Sequence, residues 1–334
     1  MSHRAKDLKI AEKNSELEVV NYDRDAKEVI VKHHQTGNIC TIEDTFAEMF
    51  PMWVGRILIT AATEEWALTS ARVATGFASS IIMSPAEAGI EKLLQSNQTP
   101  DSRPGVVIQI YHNLGYKLKI QMMTRIGQCI MTCPTTSAFD AMEAERVKKL
   151  KIGRSLSLFG DGFQRKDTLG ERQIWRIPVM EGEFIIEDRF SVKRGVAGGN
   201  ILILAKDQTA ALTSAEAAKN AINNVEGVVL TFPGGICRSG SKIGSGKYKL
   251  LASTNHLFCP SLRDLVKDTR IPEDVKSVYE IVVNGLDLKS VQKAIGEGIT
   301  AAASIEGVSK ITSANYGGKL GPYKAVLREI LKLQ

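Results

Sequence analysis

The feature that most narrows the possible folds is a repeat. Arg56-Ile-Leu-Ile-Thr60 reads as an apolar strand, followed by a helical stretch over about 64–75 and a strand at Ser80-Ile-Ile-Met83. The same order returns as the strand Asn200-Ile-Leu-Ile-Leu-Ala205, a helical stretch over about 209–224 and the strand Val228-Val-Leu-Thr-Phe232. Both helices carry the string Ala-Leu-Thr-Ser-Ala, at 67–71 and 211–215. Five matching residues are weak evidence alone, but their recurrence at one place in two strand–helix–strand units argues duplication. A second pair of units follows. Val106-Val-Ile-Gln-Ile110 leads through Asn113 to a helix ending near Arg125-Ile-Gly-Gln-Cys-Ile130, and Val278-Tyr-Glu-Ile-Val-Val283 leads through Asn284-Gly285 to a helix containing Ala294-Ile-Gly-Glu-Gly-Ile299. Aligning the two asparagines sets Gln109 against Glu280. Each half then reads strand–helix–strand, insert, strand–helix–strand, the order of the ferredoxin-like split βαβ unit. The expected class is α+β, two duplicated ferredoxin-like lobes with long inserts at about 134–195 and 233–275. A doubly wound parallel sheet needs uninterrupted βα alternation, which the inserts break.

The repeat divides the 334 residues into an extension at 1–38, a first lobe at 39–195 and a second at 196–334. The extension begins with a charged helical stretch at about 4–17. Leu17-Glu-Val-Val-Asn-Tyr22, the turn-rich Asp23-Arg-Asp-Ala-Lys27 and Glu28-Val-Ile-Val-Lys32 then predict a β-hairpin. His33 and His34 are adjacent, so on a strand they point to opposite faces and make a poor metal site.

Net charge is +6 from 43 basic and 37 acidic residues, with no long basic block. The run Arg146-Val-Lys-Lys-Leu-Lys151 reads as a solvated helix end rather than a nucleic-acid patch. No apolar run reaches the ~18 residues of a membrane span, and the polar N-terminus lacks a signal-peptide core. A cytoplasmic protein with neither membrane nor nucleic-acid partner is expected. The five cysteines are Cys40, Cys129, Cys133, Cys237 and Cys259, and none forms Cys-x-x-Cys. Cys129 and Cys133 sit four apart in a helical pattern and share a face, but two thiols without a nearby histidine are a poor zinc site. No metal is expected, and buried free thiols fit a reducing compartment.

Glu280 is the most informative residue. It lies among Val278, Val282, Tyr279, Ile281 and Val283, so both strand faces are otherwise apolar and are covered. A carboxylate there loses hydration, and its pKa rises. A protonated carboxyl donates a hydrogen bond, which the anion cannot. A structural glutamate paired with Arg or Lys is the bland alternative. Phe232-Pro-Gly-Gly-Ile236 and Asn315-Tyr-Gly-Gly-Lys319 suggest backbone close to a bulky ligand, or simply turns. Gly240-Ser-Lys-Ile-Gly-Ser-Gly-Lys247 fails the P-loop spacing. Gly195-Val-Ala-Gly-Gly-Asn200 precedes a strand rather than opening a helix, so it is no dinucleotide fingerprint. There is no Gly-x-Ser-x-Gly elbow, and His112 and His256 show no partner. That pattern favours direct transfer over a covalent enzyme intermediate.

Several motifs occur together in order. They include Ile42-Glu-Asp-Thr-Phe-Ala-Glu48, Pro85-Ala-Glu-Ala-Gly-Ile90, Pro100-Asp-Ser-Arg-Pro-Gly105, Phe159-Gly-Asp-Gly162, Phe232-Pro-Gly-Gly-Ile236, Ala252-Ser-Thr-Asn255, Val278-Tyr-Glu-Ile-Val-Val-Asn-Gly285 and Asn315-Tyr-Gly-Gly-Lys-Leu-Gly321. From about residue 39 onward the chain resembles the formylmethanofuran–tetrahydromethanopterin formyltransferase family. The resemblance implies reversible formyl transfer from formylmethanofuran to N5 of tetrahydromethanopterin, or a close relative, in archaeal or methylotrophic one-carbon metabolism. It implies direct attack in a ternary complex, methanofuran and tetrahydromethanopterin as co-substrates, and no prosthetic group. It also implies a homo-oligomer, dimer or tetramer, with the methanofuran site at a subunit boundary. The catalytic residue would be Glu280, donating to the oxyanion of a tetrahedral intermediate. The substrate contacts would be Phe232, Pro233, Gly234, Gly235, Ser253, Thr254, Asn255, Glu87, Tyr316, Gly317 and Gly318. The extension, Ser84 in place of a frequent cysteine, Cys237-Arg238 in place of smaller residues, and the basic charge depart from the family pattern. The competing reading is a non-catalytic pterin-binding paralogue or a scaffold of the formylmethanofuran-forming complex. Loss of Glu280 would favour that reading, and Glu280 is present.

Overall fold

A computed structural model describes residues 16–145, 147–238, 248–249 and 255–333. Most of the helical stretch read at 4–17, Arg146, the Gly240–Lys247 run, Ser253 and Thr254 lie outside the described residues. The element order is β1 (Leu17–Asp23), β2 (Glu28–His33), β3 (Ile39–Glu43), β4 (Phe46–Thr60), α1 (Glu64–Thr75), β5 (Glu87–Leu94), β6 (Gly105–His112), α2 (Gly115–Arg125), β7 (Ser137–Asp140), β8 (Lys148–Leu150), α3 (Ile152–Leu156), β9 (Arg165–Leu169), β10 (Arg172–Val179) and β11 (Gly182–Glu187). It continues with β12 (Phe190–Ala205), α4 (Gln208–Asn223), β13 (Val228–Leu230), β14 (Ser277–Gly285), α5 (Leu288–Ala303), β15 (Val308–Thr312), β16 (Tyr323–Val326) and α6 (Leu327–Ile330).

The duplication is visible in the sheet. In the first lobe β4 lies between β6 and β7, and β5 pairs the far side of β6. In the second, β12 lies between β14 and β15, and β13 pairs the far side of β14. Every one of these pairings is antiparallel, the ferredoxin-like order. The fourth strand of the first lobe, β7, lies within the stretch read as the 134–195 insert.

The repeated Ala-Leu-Thr-Ser-Ala string now has a physical reason. Its alanines are buried in both helices, so each helix sits close to its sheet. Its serine crosses to the second helical segment of the same lobe. Ser70 Oγ donates to the Cys129 carbonyl at 3.2 Å, and Ser214 Oγ donates to the Ala302 carbonyl at 3.1 Å. Both helices open on a side-chain cap, Thr63 for α1 and Asp207 for α4. The same spacing separates the two caps as separates the two strings.

The lobes share one sheet. Residues 192–197 of β12 pair with residues 50–55 of β4 before each strand enters its own lobe. The lobe boundary read at 195/196 therefore falls inside β12. So does Gly195-Val-Ala-Gly-Gly-Asn200, which forms the bulged middle of that strand rather than a loop before it. Gly198 needs its left-handed φ of 86°, and a Cβ on Gly195 would meet the Gly285 carbonyl at 2.7 Å.

Other expectations are corrected. Ser80-Ile-Ile-Met83 is a turn, not a strand: the Ser80 carbonyl accepts from Ser84 N, and Ser84 Oγ accepts from Ser80 N. Serines closing on their own backbone, with Pro85 next, outcompete the β-propensity of the two isoleucines. Lys148–Leu150 is a short strand on β12, not a helix end. Cys129 lies in a π-helical turn, Ile126–Ile130, so the four-residue spacing to Cys133 does not place the two thiols on one helical face. Cys40 and Cys237 are buried, while Cys129, Cys133 and Cys259 are half-buried. Among its described residues the second insert holds the short 3-10 turns Pro233–Gly235, His256–Phe258 and Pro260–Leu262.

β1 and β2 form an antiparallel hairpin whose turn is closed by Asp23 Oδ1, which accepts from Asp25 N and Ala26 N. β2 pairs β3, and β3 runs parallel to β15, so the hairpin extends the second lobe's sheet. Leu17, Val29 and Val31 enter that lobe's core. Lys310 bridges Glu28 and Glu43, and Asn38 Nδ2 donates to the Ala303 and Ile305 carbonyls at the end of α5. Leu17→Ala should therefore cost about 2–5 kcal/mol in chemical denaturation. Deleting residues 1–37 should lower the melting temperature and leave turnover within a few-fold. Unchanged melting after the deletion would contradict this packing.

Candidate active site

Glu280 stands on the face of β14 turned away from α4 and α5. Its neighbours Ile281 and Val283 point to the helices, within the core that includes Ile201 and Ile203. The opposite face, with Leu202 and Leu204, is covered by Phe258, Ile271 and Val275 of the second insert. Glu280 is left 8% exposed. Asn200 Nδ2 donates to Glu280 Oε1 at 2.9 Å, and Asn255 Nδ2 donates to Oε2 at 3.2 Å. Cys237 pairs with the Glu280 backbone, and its thiol hydrogen-bonds the carboxyl. Burial pushes the Glu280 carboxyl above the usual range, against the opposing pull of Asn200, Asn255 and Cys237. Among the described residues no cationic side chain pairs with it.

The Pro-Gly-Gly loop arises from a gap in pairing along the same strand. The chain leaves β14 after Leu230 pairs Val283 and returns where Cys237 pairs Glu280. Residues 231–236 bow outward between these points. The bow needs left-handed backbone at Gly234 (φ 64°) and Gly235 (φ 84°), and a Cβ on Gly235 would meet Lys219 Cγ at 2.9 Å. Residues 232–235 form one wall of a cavity of about 600 Å³ between the lobes, with Gly76, Phe77 and Gly89 opposite and Arg72 and Lys219 as its cations. Glu280 lies beyond the loop's return and not in the cavity lining.

The remaining expected contacts are dispersed. Glu87 ties the lobes together: it accepts from Asn284 Nδ2 at 2.6 Å and Ile81 N at 3.2 Å, while Asn284 Oδ1 accepts from Gly198 N at 3.0 Å. Burial pushes the Glu87 carboxyl up, against the pull of Asn284 and Ile81. Tyr316, Gly317 and Gly318 belong to a loop folded around Glu48, which accepts from Tyr316 N at 2.8 Å, Gly321 N at 3.1 Å and Leu320 N. The structure thus joins Glu280 with Asn255, sets the 232–235 loop beside them through Cys237, and leaves Glu87 and the Tyr316 loop elsewhere. Sequence reading missed Asn200 and Ser313. Ser313 Oγ donates to Asn200 Oδ1 at 2.6 Å, a contact that requires β12 to lie beside β15.

Comparison with known proteins bears on this arrangement. The family model described as formylmethanofuran-tetrahydromethanopterin formyltransferase matches residues 36–179, and the model of that family's proximal lobe matches residues 182–330. The chain belongs to the formylmethanofuran–tetrahydromethanopterin formyltransferase family. A relative of that name from Methanocaldococcus jannaschii is 54% identical over 294 residues, 87% of this chain and 98% of its own. The solved formyltransferase from Methanosarcina barkeri matches with a TM-score of 0.83 at 49% identity, covering 86% of this chain and 97% of the other. A chain of the formyltransferase/hydrolase complex from Methylorubrum extorquens, solved with methylofuran, matches with a TM-score of 0.83 at 40% identity, covering 87% and 97%. The family match begins at residue 36, after the hairpin, and its two parts meet at the β10–β11 turn.

The two lobes of this formyltransferase-family chain are not equivalent at the site. Arg56 pairs Gln109 in the first lobe, and Asn200 pairs Val282 in the second. Leu58 likewise pairs Val107, where Leu202 pairs Glu280. With β4 and β12 matched by their Ile-Leu-Ile strings, the counterpart of Glu280 is Val107, not Gln109. The caps of α2 and α5, Leu114 and Asp287, keep the same register. The alignment through Asn113 and Asn284 is therefore two residues out, a shift that preserves strand facing and so leaves the pattern intact. Arg56, the counterpart of Asn200, holds the buried Glu91 by two bonds of 2.8 and 2.7 Å, and Gln109 Nε2 donates to the same carboxylate at 2.7 Å. His112, which had shown no partner, accepts from Leu114 N through Nδ1 at 3.0 Å.

Glu48 supplies a test of the Tyr316 loop. Burial pushes its carboxyl up, but the N–H groups of Tyr316, Gly321, Leu320 and Gly318 outweigh this and hold it below its ordinary 4.5. A depressed pKa stabilises the fold above the unfolded value, and that stability is lost as pH falls through the folded one. Glu48→Gln should cost about 1.5–3 kcal/mol at pH 7, the range for hydrogen bonds to a charged group. The difference from the parent should shrink as pH falls below about 4.5. Denaturation curves showing the same difference at pH 7 and well below that value would refute the assignment.

Proposed function

We propose that the chain transfers a formyl group between formylmethanofuran and N5 of tetrahydromethanopterin, or a close relative, as the names of its relatives describe for them. Glu280 is the residue we assign to catalysis. The observation that carries this is its environment: a buried carboxyl held by neutral amides and a thiol beside a glycine-rich loop, with no cation paired to it among the described residues.

In the forward direction the pterin N5 attacks the formyl carbon and the carbonyl oxygen takes up negative charge. The carbon–nitrogen bond to methanofuran then breaks, the C=O re-forms, and the proton lost from N5 ends on the leaving amine. A protonated Glu280 donates to the oxygen while it is charged. Each carboxyl oxygen keeps acceptor capacity beyond its one amide contact, so a proton is compatible with both asparagine bonds. The 232–235 loop and the interlobe cavity are the carrier surface, with Arg72 and Lys219 available to anionic groups. Asn255 supports Glu280, and Glu87 ties the lobes together. Tyr316, Gly317 and Gly318 contribute through the loop on Glu48, and Ser253 and Thr254 belong to the same motif as Asn255. The protein is a cytoplasmic homo-oligomer working without a prosthetic group. No described helix is long and apolar enough to cross a membrane.

Replacing Glu280 separates the readings. Glu280→Gln keeps shape and a weaker donor, and measurable formyl transfer is expected. Glu280→Ala should lose roughly 100-fold or more in turnover, the scale of one oxyanion donor. Turnover is followed by absorbance of the formyl-pterin or its cyclised methenyl product, with both variants matched to the parent by circular dichroism. Parent-like turnover in the folded alanine variant would make Glu280 structural.

A further inference from the structure

The structure assigns Asn200 a positioning role: oriented by Ser313, its neutral amide holds Glu280 at the place where the first lobe uses Arg56. This rests on the proposed role of Glu280. Three observations support it. First, Asn200 cannot reverse its amide freely. Ser313 Oγ, fully buried, lies 2.6 Å from Asn200 Oδ1 and 2.9 Å from the Asn200 carbonyl; its single proton, given to the nearer Oδ1, leaves Nδ2 as the end that meets Glu280 Oε1. Second, sheet register makes Asn200 the counterpart of Arg56, and Arg56 binds Glu91 as a buried ion pair. The duplicated position thus carries a cation in one lobe and an amide in the other. A guanidinium keeps a carboxylate ionised, whereas an amide lets it take a proton.

Third, among the described residues the charged groups packed on this face are committed elsewhere. On the β15 side Lys310 is bound to Glu28 and Glu43. From the second insert Arg270 pairs Glu43 and lies over the Phe258 ring, and Arg263 bonds the carbonyls of Pro272, Glu273 and Val275. His256 follows Asn255 on that insert, and Cys237 is the titratable group in contact with the carboxyl. On β12 the neighbours of Asn200 on this face are Leu202 and Leu204. Asn200 is therefore the β12 contact that acts on the protonation of Glu280, beside Cys237 and Asn255.

The test is the pH dependence of turnover with both carriers. If a protonated Glu280 is required, rate falls on the alkaline side as pH rises through its pKa, and Glu280→Gln lacks that limb. Asn200→Ala removes a donor to the carboxylate, so the limb should move to higher pH by about one unit, the worth of one hydrogen bond to a charged group. Asn200→Arg puts a cation beside Glu280, as Arg56 stands beside Glu91, and should move it to lower pH. Ser313→Ala, a change that preserves packing, should shift it in the direction of Asn200→Ala but less, and should add nothing in the double variant. If the limb is absent in Glu280→Gln yet unmoved in Asn200→Ala and Ser313→Ala, the positioning role is wrong and the catalytic reading stands. If the limb persists in Glu280→Gln, the catalytic reading itself fails and this inference falls with it.

Discussion

β4 and β12 pair with each other over residues 50–55 and 192–197, and only then does each become the first strand of a ferredoxin-like lobe. Two lobes sharing a sheet this way cannot rotate independently, and the polar groups caught at their junction must find partners there. They do so in two chains. Glu87, Asn284 and Gly198 N form one. Tyr111, Gln109, Glu91 and Arg56 form the other, which also takes Gly227 N from the second lobe. The small core of Met52, Val54, Tyr111, Ala197 and Val229 surrounds them. Where the edges of β5 and β13 meet, a Cβ on Gly89 would strike the Leu230 carbonyl at 2.8 Å. That approach opens the interlobe cavity directly beside the Pro-Gly-Gly loop.

Duplication gave the chain two structurally equivalent positions, and they now hold different electrostatics. In the first lobe Arg56 and Gln109 saturate Glu91, which ties the junction. In the second, Asn200 stands where the cation stood and meets Glu280 of β14, a position held by Val107 in the first lobe, under the second insert. A buried carboxylate with a cation is a structural element, and breaking such a pair is strongly destabilising. A buried carboxyl among amides is poised to change protonation, the property that acid chemistry at neutral pH requires.

Much of this was legible in the sequence where it depended on local pattern. The Ile-Leu-Ile strands, the capped helices and the shared Ala-Leu-Thr-Ser-Ala string predicted the duplicated α+β lobes, and the apolar setting of Glu280 predicted its burial. What depended on pairing between distant strands was not legible. The alignment of Asn113 with Asn284 is plausible by residue type, but a two-residue slip keeps every side chain on its face, so only the sheet register reveals it. The Ser313–Asn200–Glu280 chain joins β12, β14 and the residue that follows β15, and leaves no spacing signal. Ser80-Ile-Ile-Met83 has strand composition, but its serines close a turn, which depends on backbone geometry that composition does not carry.

The central claim is that Glu280 sits in a setting that favours its protonated form. An isotope-edited infrared titration of the folded protein, taken as the difference between wild type and Glu280→Gln, reads that group alone. The account predicts a protonated-carboxyl band, lost in the variant, whose midpoint lies above the ordinary glutamate value of 4.5. A midpoint at or below that value would mean that the amides and the thiol hold Glu280 as a carboxylate, and would contradict it.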